Sequence, residues 1–271
     1  MARLRAMSPR QTTARPPRPT PRRGRSYDQF CAAARALDAV GDRWTLLVVR
    51  ELLAGPRRYT DLHADLPGVS TDVLASRLKD MERDGIATRR RLPPPAAASV
   101  YELTRRGREL LPVLTALATW GAPALAERRP TDAVRAHWFA VPLLRQLEAV
   151  VRGAGAVSAA GTVSAAGTAE GAGTGVEGTG VVEVRLDEGV FHVRVGEGGD
   201  ASGAGAGPDG AVGASVYGDG PVVDGVPDAR IALSAETCVA LSRGELTLAQ
   251  GVADGAVEVT GEGPLAVALR G

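Results

Sequence analysis

The chain has 271 residues, two cysteines and 32 Arg and Lys against 31 Asp and Glu, for a formal charge of +1. That length holds two modest domains; the sequence shows no uninterrupted apolar run of about 18 residues and no apolar leader, so neither a membrane span nor secretion is expected. The near-neutral total conceals an asymmetry, because residues 1–129 carry 24 basic and 13 acidic side chains (+11) and residues 130–271 carry 8 and 18 (−10), the pattern of one half that meets a polyanion and one that does not.

Residues 1–26 contain eight arginines, five prolines and no acidic residue, a composition of disorder that suits either a basic arm along DNA or an unstructured leader. A helix is predicted from Tyr27 to Val40, with Phe30, Ala33, Ala34, Leu37 and Val40 on one side and Gly41 as its stop. Asp42 caps a second helix, Arg43–Ala54, which is apolar around most of its circumference and so belongs at the centre of a small core. Arg57–Thr60 is extended, and Thr60 caps a short helix, Asp61–Leu66, closed by Pro67-Gly68.

The stretch from Ser70 to Asp84 has both ends written in the sequence, a Ser N-cap and a Gly85 stop. Leu74, Leu78 and Met81 recur at i, i+4, i+7 and must be buried, which leaves Asp72, Ser76, Lys79 and Arg83 on a polar face suited to a major groove. Arg77 lies on the flank, placed either to touch a base or to pair with Asp61 or Asp84. Two strands are predicted next, Ile86–Leu92 and Val100–Leu103, joined by a loop with three prolines. A hairpin directly after such a helix is a wing, and its Arg89, Arg90 and Arg91 are candidates for phosphate contact, although strand alternation sends at most two of them to one face. From Thr104 a long helix runs through Leu110, Leu111, Val113, Leu114, Leu117 and Trp120 to Gly121. Its apolar face is wider than one small domain covers, which points to pairing with a second copy.

Four runs then fall into place together: Cys31-Ala-Ala-Ala-Arg-Ala-Leu-Asp-Ala-Val-Gly-Asp-Arg-Trp-Thr-Leu-Leu, Gly55-Pro-Arg-Arg-Tyr-Thr-Asp-Leu, Leu74-Ala-Ser-Arg-Leu-Lys-Asp-Met-Glu-Arg-Asp-Gly-Ile and Tyr101-Glu-Leu-Thr-Arg-Arg-Gly-Arg-Glu-Leu. Over residues 27–125 the chain resembles the HxlR family of bacterial winged helix-turn-helix, MarR-like transcriptional regulators; the proline that often follows the family's first cysteine is Ala32 here. The resemblance implies a homodimer on double-stranded DNA carrying an inverted repeat, usually a repressor and sometimes an activator. It implies that Ser70, Thr71, Ser76, Arg77 and Lys79 belong to the reading helix and Arg89, Arg90 and Arg91 to the wing, and that a cysteine at the place of Cys31 senses oxidants or electrophiles in some relatives.

Beyond residue 130 the pattern changes. A helix is predicted over Thr131–Arg152, with Val134, Trp138, Val141 and Leu144 on one side. Gly153–Gly180 is almost wholly Gly, Ala, Ser, Thr and Val and contains the tandem repeat Val157–Thr162/Val163–Thr168, a flexible insertion by composition. Val181–Leu186 and Val190–Val195 alternate around Asp187-Glu-Gly189 as a hairpin. A second Gly-rich stretch makes residues 196–227 a further flexible segment; a strand (Ala229–Leu233), a helix capped by Ser234, a strand (Ala256–Thr260) and a helix from Pro264 follow. This order, with Asp228-Ala-Arg-Ile-Ala-Leu-Ser, Ser242-Arg-Gly-Glu-Leu and Gly255-Ala-Val-Glu-Val-Thr-Gly, resembles the sterol-carrier-protein-like α+β fold, which implies a pocket for a small apolar effector; a purely structural or dimer-supporting domain is the alternative.

The expected whole is therefore α+β: a basic arm (1–26), a winged helix-turn-helix DNA-binding and dimerisation domain (27–129) and a smaller α+β domain (130–271) with Gly/Ala-rich insertions. Cys31 lies near a helix N-terminus with Arg35 one turn on, two features that favour a thiolate, whereas a free cysteine is also often a small buried hydrophobe; Cys238, within an apolar helix, is read as core. His63, His137 and His192 stand alone with no ligand spacing, the glycine pairs do not join a strand to a helix, and no nucleophile arrangement is visible, so no metal, cofactor or enzymatic activity is expected. The expectation is a cytoplasmic DNA-binding regulator modulated by an apolar effector or by thiol oxidation. The rival is a small-molecule carrier that uses the winged helix only to dimerise.

Overall fold

The computed structural model describes residues 26–95, 97–160, 180–195, 216–222 and 225–271. All but the last residue of the basic arm (1–26), the tandem repeat from residue 161 onward and residues 196–215 lie outside the described residues. The chain forms two compact units, one up to Gly41 and one from Asp42 onward.

In the first unit helix α1 spans Ala32–Val40 and begins five residues later than the sequence predicts. Residues 27–31 are held outside it by Asp38, whose carboxylate accepts from the Tyr27 backbone N–H at 2.9 Å and from the Ser26 hydroxyl at 3.2 Å.

The second unit opens with α2 (Thr45–Leu53), where Val48, Val49, Leu52 and Leu53 are buried. Asp42 does cap it, accepting from the backbone N–H groups of Trp44 (2.8 Å) and Thr45 (3.1 Å). Strand β1 (Arg57–Arg58) leads directly into α3 (Tyr59–Asp65), whose first turn is closed by the Asp61 carboxylate accepting from the Arg58 N–H. The helix therefore starts one residue before the predicted Thr60 cap. Helix α4 (Thr71–Arg83) matches its expected span, with Ser70 Oγ accepting from Val73 N–H. Gly85 follows at φ +69°, a left-handed turn residue that lets the chain fold back into β2 (Ala87–Arg91). Strand β3 (Ser99–Leu103) pairs antiparallel with both β1 and β2, giving the order β1-β3-β2. The predicted long helix from Thr104 consists of α5 (Arg105–Arg108) and α6 (Leu111–Gly121), extended by a 3-10 turn over Ala122–Ala126. By length and composition alone residues 105–126 are apolar enough to cross a membrane, contrary to the reading from uninterrupted apolar runs, because the four charges of its first turns do not lower its average below that of a span. Leu114 of α6 is buried, while Val113, Leu117 and Trp120 stay exposed.

Residues 130–135 are not helical, in contrast to the predicted helix from Thr131. A 3-10 turn covers Ala136–Phe139 and α7 follows over Ala140–Ala160, past the Gly153 at which a flexible insertion was expected. The hairpin forms as predicted, β4 (Gly180–Leu186) and β5 (Gly189–Val195), with Gly189 at φ +145° closing a two-residue turn. Strand β6 (Tyr217–Asp219) joins the outer edge of β5 from within the stretch read as flexible; three residues between glycines are too few to carry a periodic signal. Strands β7 (Ala229–Leu233) and β8 (Val257–Thr260) complete a five-stranded sheet in the order β6-β5-β4-β7-β8, with β4 and β7 parallel and all other pairs antiparallel. Helices α8 (Ala235–Arg243) and α9 (Leu248–Ala253) connect β7 to β8, and α10 (Pro264–Arg270) follows β8. Registered neighbours Tyr217, Val193, Val182 and Ala229 share one buried face with Phe191, Val184 and Ile231, and α7 lies over β5 with Val141, Leu143, Leu144 and Leu147 buried.

Candidate nucleic-acid interface

Helix α4 meets the core through Leu74, Leu78 and Met81 and turns Thr71, Asp72, Ser76 and Lys79 outward, all exposed. Its N-terminus is fixed to α3 by the Tyr59 hydroxyl, which donates to the Thr71 carbonyl at 2.8 Å. The wing stands beside it. Residues two apart on a strand share a face, so Arg89 and Arg91 point one way and Arg90 the other. Arg89 and Arg91 are exposed, and the Arg89 guanidinium lies 5.9 Å from the Tyr101 ring centre. Arg90 is engaged with both carboxylate oxygens of Glu102 at 3.2 Å.

Arg77 departs from the direct-contact expectation. Only 6% exposed, its guanidinium reaches Asp42 at 3.0 Å and Asp80 at 2.8 Å. It therefore holds α4 against the residue that caps α2 instead of facing solvent. Burial works against the charged form of Asp42, but the Thr45 hydroxyl, the Trp44 N–H and Arg77 outweigh it and keep the carboxyl below its ordinary range. The sequence offers Asp61 or Asp84 as a partner for Arg77; the structure gives it Asp80, one turn on toward the end of α4, and Asp42, 35 residues away in sequence, a contact that helical spacing cannot reveal.

Cys31 is exposed at the start of α1, and its thiol is lowered from the usual cysteine value by the backbone N–H groups of Ala34 and Ala33. The expected help from Arg35 is not the cause; that guanidinium lies 3.6 Å from Asp38. Cys238 is buried, as read from sequence, and burial pushes its thiol up to about 12.

A second cluster joins the winged helix to the C-terminal sheet. Glu51, fully buried on α2, accepts from Arg50 at 2.7 Å and from the Trp138 indole N–H at 3.0 Å through Oε1, and its Oε2 meets His137 Nε2 at 2.8 Å. Burial again disfavours the charge, and the His137 bond together with Arg50 more than compensates, so the Glu51 carboxyl sits below its ordinary value. Glu51, Asp65 and His137 bring one ligand atom each within 4.8 Å of one another. Sequence spacing missed this convergence because the three residues come from separate elements. Arg50 on Glu51 and Arg135, 3.5 Å from Asp65, already balance the carboxylates, so the trio is a closed ion network and not an open metal cage.

A three-stranded sheet with its basic hairpin, set beside a helix packed across two others, defines the winged helix-turn-helix class. The model of the HxlR-like helix-turn-helix family matches residues 39–129. The chain is 36% identical over 86 residues to YvaP, an uncharacterized HTH-type transcriptional regulator of Bacillus subtilis, covering 32% of this chain and 80% of that one. It is 39% identical over 98 residues to the uncharacterized HTH-type transcriptional regulator sll1512 of Synechocystis (36% and 73%), and 33% identical over 85 residues to the HTH-type transcriptional regulator YodB of B. subtilis (31% and 76%). The solved structure of reduced YodB is similar over 38% of this chain and 100% of that one, at 30% identity and a TM-score of 0.33. The chain belongs to the HxlR-like helix-turn-helix family.

Proposed function

We propose that the protein is a cytoplasmic transcriptional regulator that binds double-stranded DNA. The observation that carries this is the exposure of Thr71, Asp72, Ser76 and Lys79 along one face of α4, beside Arg89 and Arg91 on the wing. Helix α4 reads the major groove and the wing arginines meet phosphates next to it. Ser70 caps the reading helix, Arg77 braces it, and Arg90 stands on the other face of the wing, held by Glu102. The protein acts as a homodimer on an inverted repeat, as a repressor. The exposed Val113, Leu117 and Trp120 of α6 support pairing with a second copy, since contiguous apolar groups on a soluble surface are commonly an interface.

The C-terminal half is read as a sterol-carrier-like module that takes a small apolar effector. The strand order β6-β5-β4-β7-β8 with its single parallel pair, and helices over the apolar face, support that reading. Oxidation of Cys31 is a second input, supported by its exposure and by the lowered thiol. The carrier alternative is disfavoured by the +11 of residues 1–129, which a carrier does not need.

The test is a fluorescence anisotropy titration against the DNA upstream of the protein's own gene, with scrambled duplex as competitor, at two salt concentrations. Tight, competition-resistant binding that weakens steeply with salt and is lost in the Ser76→Ala/Lys79→Ala double variant is expected. Equal affinity for both duplexes, or none, replaces this reading with the carrier.

A further inference from the structure

The seam between the winged helix and the C-terminal sheet ends on the wing itself. Asp219, at the end of edge strand β6, lies 3.5 Å from the Arg57 guanidinium and 3.4 Å from His137 Nδ1. Next to it the Tyr217 hydroxyl donates to the Arg50 carbonyl, and the Arg50 guanidinium stacks 4.3 Å from the centre of the Trp138 ring. Arg57 belongs to β1, the strand of the three-stranded sheet farthest from the wing arginines. In register it stands opposite Tyr101 of β3, and Tyr101 stands opposite Arg89 of β2. Residues directly opposite in neighbouring strands share a face, so Arg57, Tyr101 and Arg89 lie in one register row across the sheet, with Asp219 of the C-terminal sheet on Arg57 at one end and the Arg89 guanidinium over the Tyr101 ring at the other.

We propose that Asp219 is a positioning residue for DNA binding: by holding Arg57 it fixes the β1-β3-β2 row and so sets where Arg89 meets the phosphate backbone. This rests on the DNA-binding reading and adds to it the contact through which the C-terminal half acts on the wing. Its energetic role in folding is minor, because Asp219 is 41% exposed and exposed pairs contribute little. The buried members of the seam, Glu51 and His137, anchor the two halves, and Asp219 and Arg57 transmit the placement.

The experiment is a double-mutant cycle on the full chain, with duplex affinity read by anisotropy for the wild type, Asp219→Asn, Arg89→Gln and the double variant. Thermal melts accompany it, together with amide hydrogen exchange over residues 87–103. Asp219→Asn is expected to melt with the wild type, to weaken binding by about two- to fivefold, the limit for an exposed ion pair, and to speed exchange across the β2–β3 pairs. The double variant is expected to bind no more weakly than Arg89→Gln alone, and Asp219→Glu is expected to restore binding. Effects that multiply in the double variant, or an Asp219→Asn variant with wild-type affinity and exchange, overturn the proposal while leaving the DNA-binding reading intact. A wild-type chain that binds no duplex sinks that reading and this proposal with it.

Discussion

Replacing Glu51 by alanine removes the carboxylate on which Arg50, Trp138 and His137 converge, and leaves the Arg50 guanidinium without its anion and the buried His137 ring with the half-exposed Asp219 alone. Breaking a buried ion pair from one side costs about 3–5 kcal/mol, because the remaining charge keeps its desolvation penalty. With a urea m-value of about 3 kcal/mol/M, the upper end for small proteins, the unfolding midpoint should fall by roughly 1–1.7 M. The fold holds Glu51 ionised below its ordinary value. Its contribution is therefore fully present above the unfolded glutamate pKa of about 4.3 and is lost as the pH falls below it and the carboxyl takes up a proton. The gap in midpoint between wild type and Glu51→Ala should accordingly be widest at neutral pH and shrink below about pH 4. Equilibrium urea titrations of both proteins from pH 7 to pH 3.5, followed by far-UV circular dichroism, give the numbers. A neutral-pH shift below about 0.3 M, roughly 1 kcal/mol at that slope, would refute the reasoning and make the Glu51 network dispensable.

Two further outcomes follow from the same geometry. Arg77→Ala should lower stability by about 2 kcal/mol, less than a fully buried pair because Asp42 and Asp80 keep some solvent, whereas the exposed Lys79→Ala should stay within about 0.5 kcal/mol by thermal melt; equal melting temperatures for the two variants would contradict the bracing role of Arg77. Iodoacetamide should label Cys31 in the native protein at neutral pH and reach Cys238 only after unfolding, as their opposite thiol shifts require, with peptide mass spectrometry as the readout.

Much of the winged helix was legible because its information is local. Ser70, Gly85 and the spacing of Leu74, Leu78 and Met81 define α4 without reference to any other element, and Asp187-Glu-Gly189 defines the turn of the β4–β5 hairpin in the same way. Errors of boundary arose where a distant or irregular partner intervenes. Asp38 holds residues 27–31 out of α1, and α7 continues through Gly153 although glycine is a poor helix former. The polar face of α4 was read correctly as a set of exposed residues, but Arg77 was assigned by its angle on the helix, and that angle cannot say that Asp42 waits across the core. Nothing in the spacing of Glu51, His137 and Asp219 links them; 86 residues separate the first two, and only the packing of β6 and the 136–139 turn against α2 brings them together.

The charge distribution has a consequence for how the molecule arrives at DNA. Among the described residues of the unit that begins at Asp42, residues 42–129 carry 15 basic and 11 acidic side chains and those after 129 carry 8 and 12, so a mildly cationic part is joined to a mildly anionic one. Such a body is an electric dipole. In the field of a duplex it experiences a torque that turns the anionic part away from the phosphates and the wing toward them before any contact forms. The acidic half thereby works as a rudder: unproductive encounters through the C-terminal sheet are repelled, and the orienting effect fades as added salt shortens the screening length to about 10 Å at 0.1 M.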